Sequence, residues 1–140
     1  MKFTAHEHAT FTQTHKADSW AAATNLSAAV DTVGFNELLL IVNVGTSTAT
    51  GSMVVTLQDS AATGGTYADV TGTAMTAVTT ANDDNQFIGR VNLRGVKRFV
   101  KVEMVNTTDA CEASTTVMLS HPEVTPVTQV STLEFNISNE

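Results

Sequence analysis

Glu37-Leu38-Leu39-Leu40-Ile41-Val42-Asn43-Val44 decides the fold. Five consecutive aliphatic residues lie between the turn Asp31-Thr32-Val33-Gly34 and the loop that opens at Gly45. The run is too short for a helix that must bury a face. It is bounded by turn residues and reads as a strand. Its unbroken apolar character predicts a strand buried on both faces, at the centre of a sandwich.

Working outward, period-two alternation recurs. Met53, Val55 and Leu57 form one face of the next segment, with Val54, Thr56 and Gln58 opposite. Phe87, Val91 and Leu93 share a face, and Gly89 on that face predicts a bulge. Val100, Val102 and Met104 alternate with Phe99, Lys101 and Glu103. Short strands are also expected at Tyr67–Val70, Met75–Val78 and Thr115–Ser120, and an N-terminal one where Phe3, Ala5, Ala9 and Phe11 share a side. Between Thr14 and Val30 the reading stays open: Ala21-Ala22-Ala23 suits a helical turn, Asn25–Ala28 a short strand. About eight strands with turn signals every 8–12 residues predict an all-β, antiparallel, jelly-roll-like β-sandwich with extended terminal arms. The chain has 140 residues, enough for one domain and its core.

The only two prolines, Pro122 and Pro126, favour an extended connector. The sandwich is therefore expected over residues 1–124, followed by a C-terminal arm or strand over 125–140. In that arm Leu133, Phe135 and Ile137 alternate with Glu134 and Asn136. Such a strand can close the domain's own sheet or add to a neighbour's.

Composition narrows the function. The net charge of −7 and pI near 4.9 disfavour nucleic acid as a partner. No apolar leader opens the chain and no run approaches membrane-spanning length, so a soluble protein made in a cytoplasm is expected. One cysteine, Cys111, rules out an internal disulfide. Only 15% of residues are charged, and 24 threonines take their place, suiting the wet face of a sheet or neutral contacts with protein.

No catalytic centre is expected. His6 and His8 share a strand face but lack further metal ligands, with His15 and His121 unsupported as additions. Asp83 and Asp84, even with Asp59 or Asp69, lack the alternate spacing of a calcium loop. No Gly-x-Ser-x-Gly elbow or phosphate-binding loop occurs. No metal or cofactor is predicted. One charge feature stands out: Arg90, Arg94, Lys97, Arg98 and Lys101 hold five of the seven basic residues within twelve positions. On neighbouring strands they would form a cationic patch. It reads either as a dock for an acidic surface or as charge that guards edge strands.

Val54–Gly72 reads as a strand, Leu57-Gln58-Asp59-Ser60, a Gly-rich loop, then Tyr67-Ala68-Asp69-Val70-Thr71-Gly72, followed later by Arg98–Val102 and Ser114–Val117. This pattern, over about residues 33–120, resembles the capsid cement, or head decoration, proteins of tailed bacteriophages. The resemblance implies a jelly-roll-like structural virion protein on the capsid exterior. It would form homodimers or homotrimers, bind the major capsid protein and bridge neighbouring subunits. The basic cluster and Leu133, Phe135 and Ile137 are then the expected contact residues. The alternative is a carbohydrate- or receptor-binding module of a phage tail or fibre. Such modules stack aromatics on sugars, and this chain has one Trp and one Tyr.

Overall fold

The computed structural model describes residues 8–123. Nine strands follow in order: β1 (Ala9–Trp20), β2 (Ala23–Leu26), β3 (Val30–Asp31), β4 (Phe35–Ser47), β5 (Ser52–Ser60), β6 (Ala68–Asp69), β7 (Gln86–Asn92), β8 (Phe99–Thr107) and β9 (Cys111–Pro122). A single 3-10 turn, Thr80–Asn82, precedes β7. The strands form two sheets. One has the order β1-β9-β4-β7; the other has β2-β8-β5-β6, with the short β3 continuing β2 along β8. Every pairing is antiparallel. A four-stranded and a five-stranded sheet in these orders, with the chain crossing between them, make a jelly-roll sandwich. The all-β, antiparallel sandwich read from the sequence is the fold found; the terminal arms lie outside the described residues.

The core lies between the sheets. Leu38, Leu40, Val42 and Val44 of β4, with Val117 and Leu119 of β9, face Met53, Val55 and Leu57 of β5 and Val100, Val102 and Met104 of β8. All are at most 5% exposed. Burying one such side chain fully contributes about 1.5–3 kcal/mol. The β5 and β8 alternations are those expected, because each strand has one wet face. Val78 and Leu93, from loops, plug the ends of the core.

Several expectations are corrected. β4 is not buried on both faces. Its inward residues are Leu38, Leu40 and Val42, while Leu39 and Ile41 lie half-buried on the outer face of their sheet. A two-sheet sandwich packs each sheet on one side only, so a continuous apolar run leaves half its side chains without a layer to meet. Gly89 marks no bulge: β7 pairs with β4 without interruption from Gln86 to Asn92. Register shifts sit elsewhere: in β1 between Gln13 and His15 and between His15 and Asp18, and in β4 between Val44 and Ser47. Met75–Val78 is no strand, although Val78 bridges Met53 through two backbone hydrogen bonds of 2.8 and 2.9 Å. Ala21–Ala23 form no helical turn; the chain passes from β1 to β2 there. His121 and Pro122 end β9 rather than open a connector, and His121 ends it with φ of +53°. The turn at Gly34 is as read, with φ of +81°, a conformation that glycine adopts without strain. Phe3–Glu7, Pro126 and the boundary expected near residue 124 lie outside the described residues.

Candidate interaction surface

The basic cluster does not assemble as expected. Arg90 lies on β7 and Lys101 on β8, and these strands belong to different sheets. The expected neighbouring-strand patch is therefore divided. Most of its charge is also paired. Arg90 forks onto Glu37, with its Nη2 3.2 Å from Oε2 and its Nε bonded to Oε1. Arg98 donates to both oxygens of Asp31 at 2.9 and 2.8 Å. That contact holds the Asp31 carboxyl below the usual carboxylate range. Lys97 Nζ stands 3.2 Å from Asp59, which also accepts the Lys97 backbone N–H. Lys101 Nζ sits 4.4 Å above the Tyr67 ring. Arg94 meets no carboxylate among the described residues. Leu133, Phe135 and Ile137 lie outside them.

Asp59, Asp69, Asp83 and Asp84 do not gather into a cation site. Among the described residues no three His, Cys, Asp or Glu side chains converge. Asp83 Oδ1 accepts from the Ser47 backbone N–H at 3.0 Å and hydroxyl at 2.5 Å. Asp69 accepts from Gln58 at 3.0 Å. His121 Nδ1 is 2.9 Å from Glu37 Oε2. His6 and Glu7 are outside the described residues.

His15 is buried, 3% exposed, with Nδ1 2.7 Å from the Thr115 hydroxyl and Trp20 edge-on at 5.3 Å. Desolvation pushes its pKa down, the Asn25 backbone partly opposing. Trp20 Nε1 donates to the Ala113 carbonyl at 3.1 Å. Cys111 is buried, and desolvation, then the nearby Asp83 and Asp109 charges, push its thiol up.

One feature escaped the sequence reading. Directly opposed residues on paired strands share a face. Phe11 opposes Met118, which opposes Leu39. One step along, Thr116 opposes Ile41, which opposes Ile88. These registers place Phe11, Met118, Leu39, Ile41 and Ile88 together on the outer face of the β1-β9-β4-β7 sheet. Phe11 is 43% and Ile88 61% exposed, among the few large apolar side chains that stay so open. The rim is neutral or self-neutralised: Gln13, Asn43 and Gln86, with Glu37 bound by Arg90 and His121. An apolar stripe inside a neutral rim is the composition of a protein contact surface. The signal in the sequence was Leu39 and Ile41, apolar residues at positions where a one-sided strand needs none.

No family model and no curated protein sequence matches this chain. A solved structure does. VP2 of infectious bursal disease virus, in its subviral particle, superposes with a TM-score of 0.56 at 12% identity, over 84% of this chain. The likeness is one of fold. This chain spans 33% of VP2, about a third of its length. Pili of Bacillus endospore appendages share 17% identity over 86% of this chain and 96% of theirs, at a TM-score of 0.42 that supports no conclusion.

Proposed function

We propose that this chain is a structural virion protein of the cement or decoration type. It binds the outside of an icosahedral phage head, bridges neighbouring capsid subunits and performs no catalysis. The observation that carries this reading is the uncovered apolar stripe across all four strands of one sheet. A domain that buried every such side chain within itself would have no use for it. The stripe suits a neutral protein surface better than a small ligand, because it is broad and lies on an open sheet face. Two other points support the reading: the resemblance over residues 33–120, and the jelly-roll fold shared with a protein that builds a subviral particle.

The mechanism is adhesion. A protein that binds the assembled shell and not free subunits stabilises the shell by mass action. Repetition over a symmetric lattice multiplies weak contacts into firm attachment. Contact shifts from the basic cluster towards the stripe, because Arg90, Lys97 and Arg98 already have carboxylate partners. The carbohydrate-module alternative is less favoured, because Trp20 packs against His15 and Tyr67 lies under Lys101.

The test is co-sedimentation with purified expanded shells of the phage that carries the gene. Wild-type protein should pellet with the shells and raise their heat resistance. Ile88→Asp and Phe11→Asp, at exposed positions, should weaken binding at least about tenfold while leaving the fold intact. Wild-type protein that stays in the supernatant would overturn the proposal.

A further inference from the structure

Strand edges invite pairing, and each edge of this sandwich but one is managed. β1 is bulged twice. β2 and β3 have four and two residues. The outer edge of β5 is occupied by β6 and by Val70, Met75 and Val78, whose backbone N–H groups bond the carbonyls of Leu57, Val55 and Met53. β7 differs. It has seven residues, an unbroken register with β4 and, among the described residues, no neighbour on its other side.

The inner side of β7 is open as well. Gly89, opposite Leu40, faces the core yet is exposed, and Phe87 and Val91 on the same face are only half-buried. A Cβ at Gly89 would meet nothing closer than 3.9 Å. Between β7 and the two-residue β6 runs a cleft of about 700 Å³. Its lining includes Leu40, Leu57, Val70, Met75 and Val91, together with the charged Asp59, Asp69 and Arg94. The sandwich thus lacks a strand at the place where its core reaches solvent.

We propose that β7 and this cleft form a strand-acceptor groove filled by the chain's own Leu133–Ile137 segment. Three observations support this occupant. The first is pattern. Leu133, Phe135 and Ile137 fall on one face of a strand, so pairing with β7 would send all three into the apolar cleft. Glu134 and Asn136 would face water. The second is reach. The described chain stops just past Pro122. Ser120 and Asn92 both oppose Glu37, so β9 and β7 stand two strands apart, about 10 Å. Residues 124–132 can span roughly 30 Å. The third is direction. β9 and β7 are both antiparallel to β4. A chain that leaves β9 and turns back therefore runs antiparallel to β7, the orientation a short connection allows.

This groove lies on the inner side of β7, away from the apolar stripe, and does not depend on the capsid reading. Its test needs no capsid. Leu93 donates to the Asn36 carbonyl and Val44 to that of Asn85. With the unbroken register, the amides of Ile88 and Arg90 must then point away from β4, towards the open edge. Amide hydrogen exchange is measured by NMR on the full-length protein and on a Leu133→Ser, Phe135→Ser, Ile137→Ser triple variant. The Ile88 and Arg90 amides should exchange about 100-fold more slowly in the wild type. Their protection should be independent of protein concentration. The Val102 amide, in the other sheet, should stay protected in both and reports that the variant is folded. Equal rates at Ile88 and Arg90 would overturn the groove. Protection lost on dilution would overturn the own-chain donor and assign the strand to a second copy.

Discussion

Leu38 and Leu39 are consecutive leucines on one strand, yet they should respond very differently to truncation. Leu38 is fully buried against the opposite sheet, whereas Leu39 lies half-buried on the outer face. Leu38→Ala removes buried methyl groups and leaves a void the packed sheets cannot close, a loss of about 2–5 kcal/mol. Leu39→Ala creates no void. It forfeits roughly half of a leucine's burial, which is about 1 kcal/mol. The two variants should therefore differ by about 1–4 kcal/mol. With a urea slope near 2 kcal/mol per molar, that is a separation of about 0.5–2 M in the denaturation midpoint. Urea titration of both variants against wild type, read by fluorescence of Trp20, measures it directly. Equal losses would refute the reasoning, because they would mean that something covers the outer face in the free protein. The stripe would then be unavailable to a shell.

Acid should destabilise the fold through His15. Burial lowers its folded pKa below the ordinary 6.5, so the unfolded chain binds more protons once the pH falls past that value. Stability is fully present above pH 6.5 and declines as the pH drops towards the folded value; a His15→Gln variant should show a shallower slope between pH 7.5 and 5.5 in urea titrations. Asp31, its pKa lowered by Arg98, should add a further loss only below about pH 4. At neutral pH, Arg98→Ala should leave the urea midpoint nearly unchanged, since the pair is solvent-exposed, and a clear drop would show it to be structural. Cys111 should resist iodoacetamide at pH 8 while folded and react in 8 M urea, followed by mass spectrometry; labelling of the native protein at the rate of a free thiol would contradict its burial and raised pKa.

The sequence made the body of the sandwich legible where a strand has one wet face. Met53, Val55 and Leu57, or Val100, Val102 and Met104, announce their buried side by alternation alone. The same logic misread β4, because Leu39 and Ile41 are apolar for a reason other than this domain's core. Ala21–Ala23 were ambiguous because small residues suit several backbones, and pairing with β8 settles Ala23 in β2. The basic cluster was visible as composition, but its neutralisation was not. Glu37, Asp59 and Asp31 lie 53, 38 and 67 positions from the groups they bind. Only the folded topology brings such distant residues together. The bulges at His15 carry no local signature either; they answer to the register β1 must keep with β9.

The strand order has a consequence for how the molecule is made. Among the described residues β1 pairs only with β9, and β2 and β3 only with β8. Both partners come from the last third of the chain. While a ribosome is still adding residue 98, the first three strands have nothing to pair with, and β4 has only β7. Native structure must therefore wait until β8 and β9 have been made and then form through distant contacts, which places folding towards the slow, millisecond-to-second range. Translation that stops before β9 would leave β1 unpartnered and β4 with one exposed flank. Such fragments would be prone to aggregate or to be degraded, not to persist as smaller working versions of the protein.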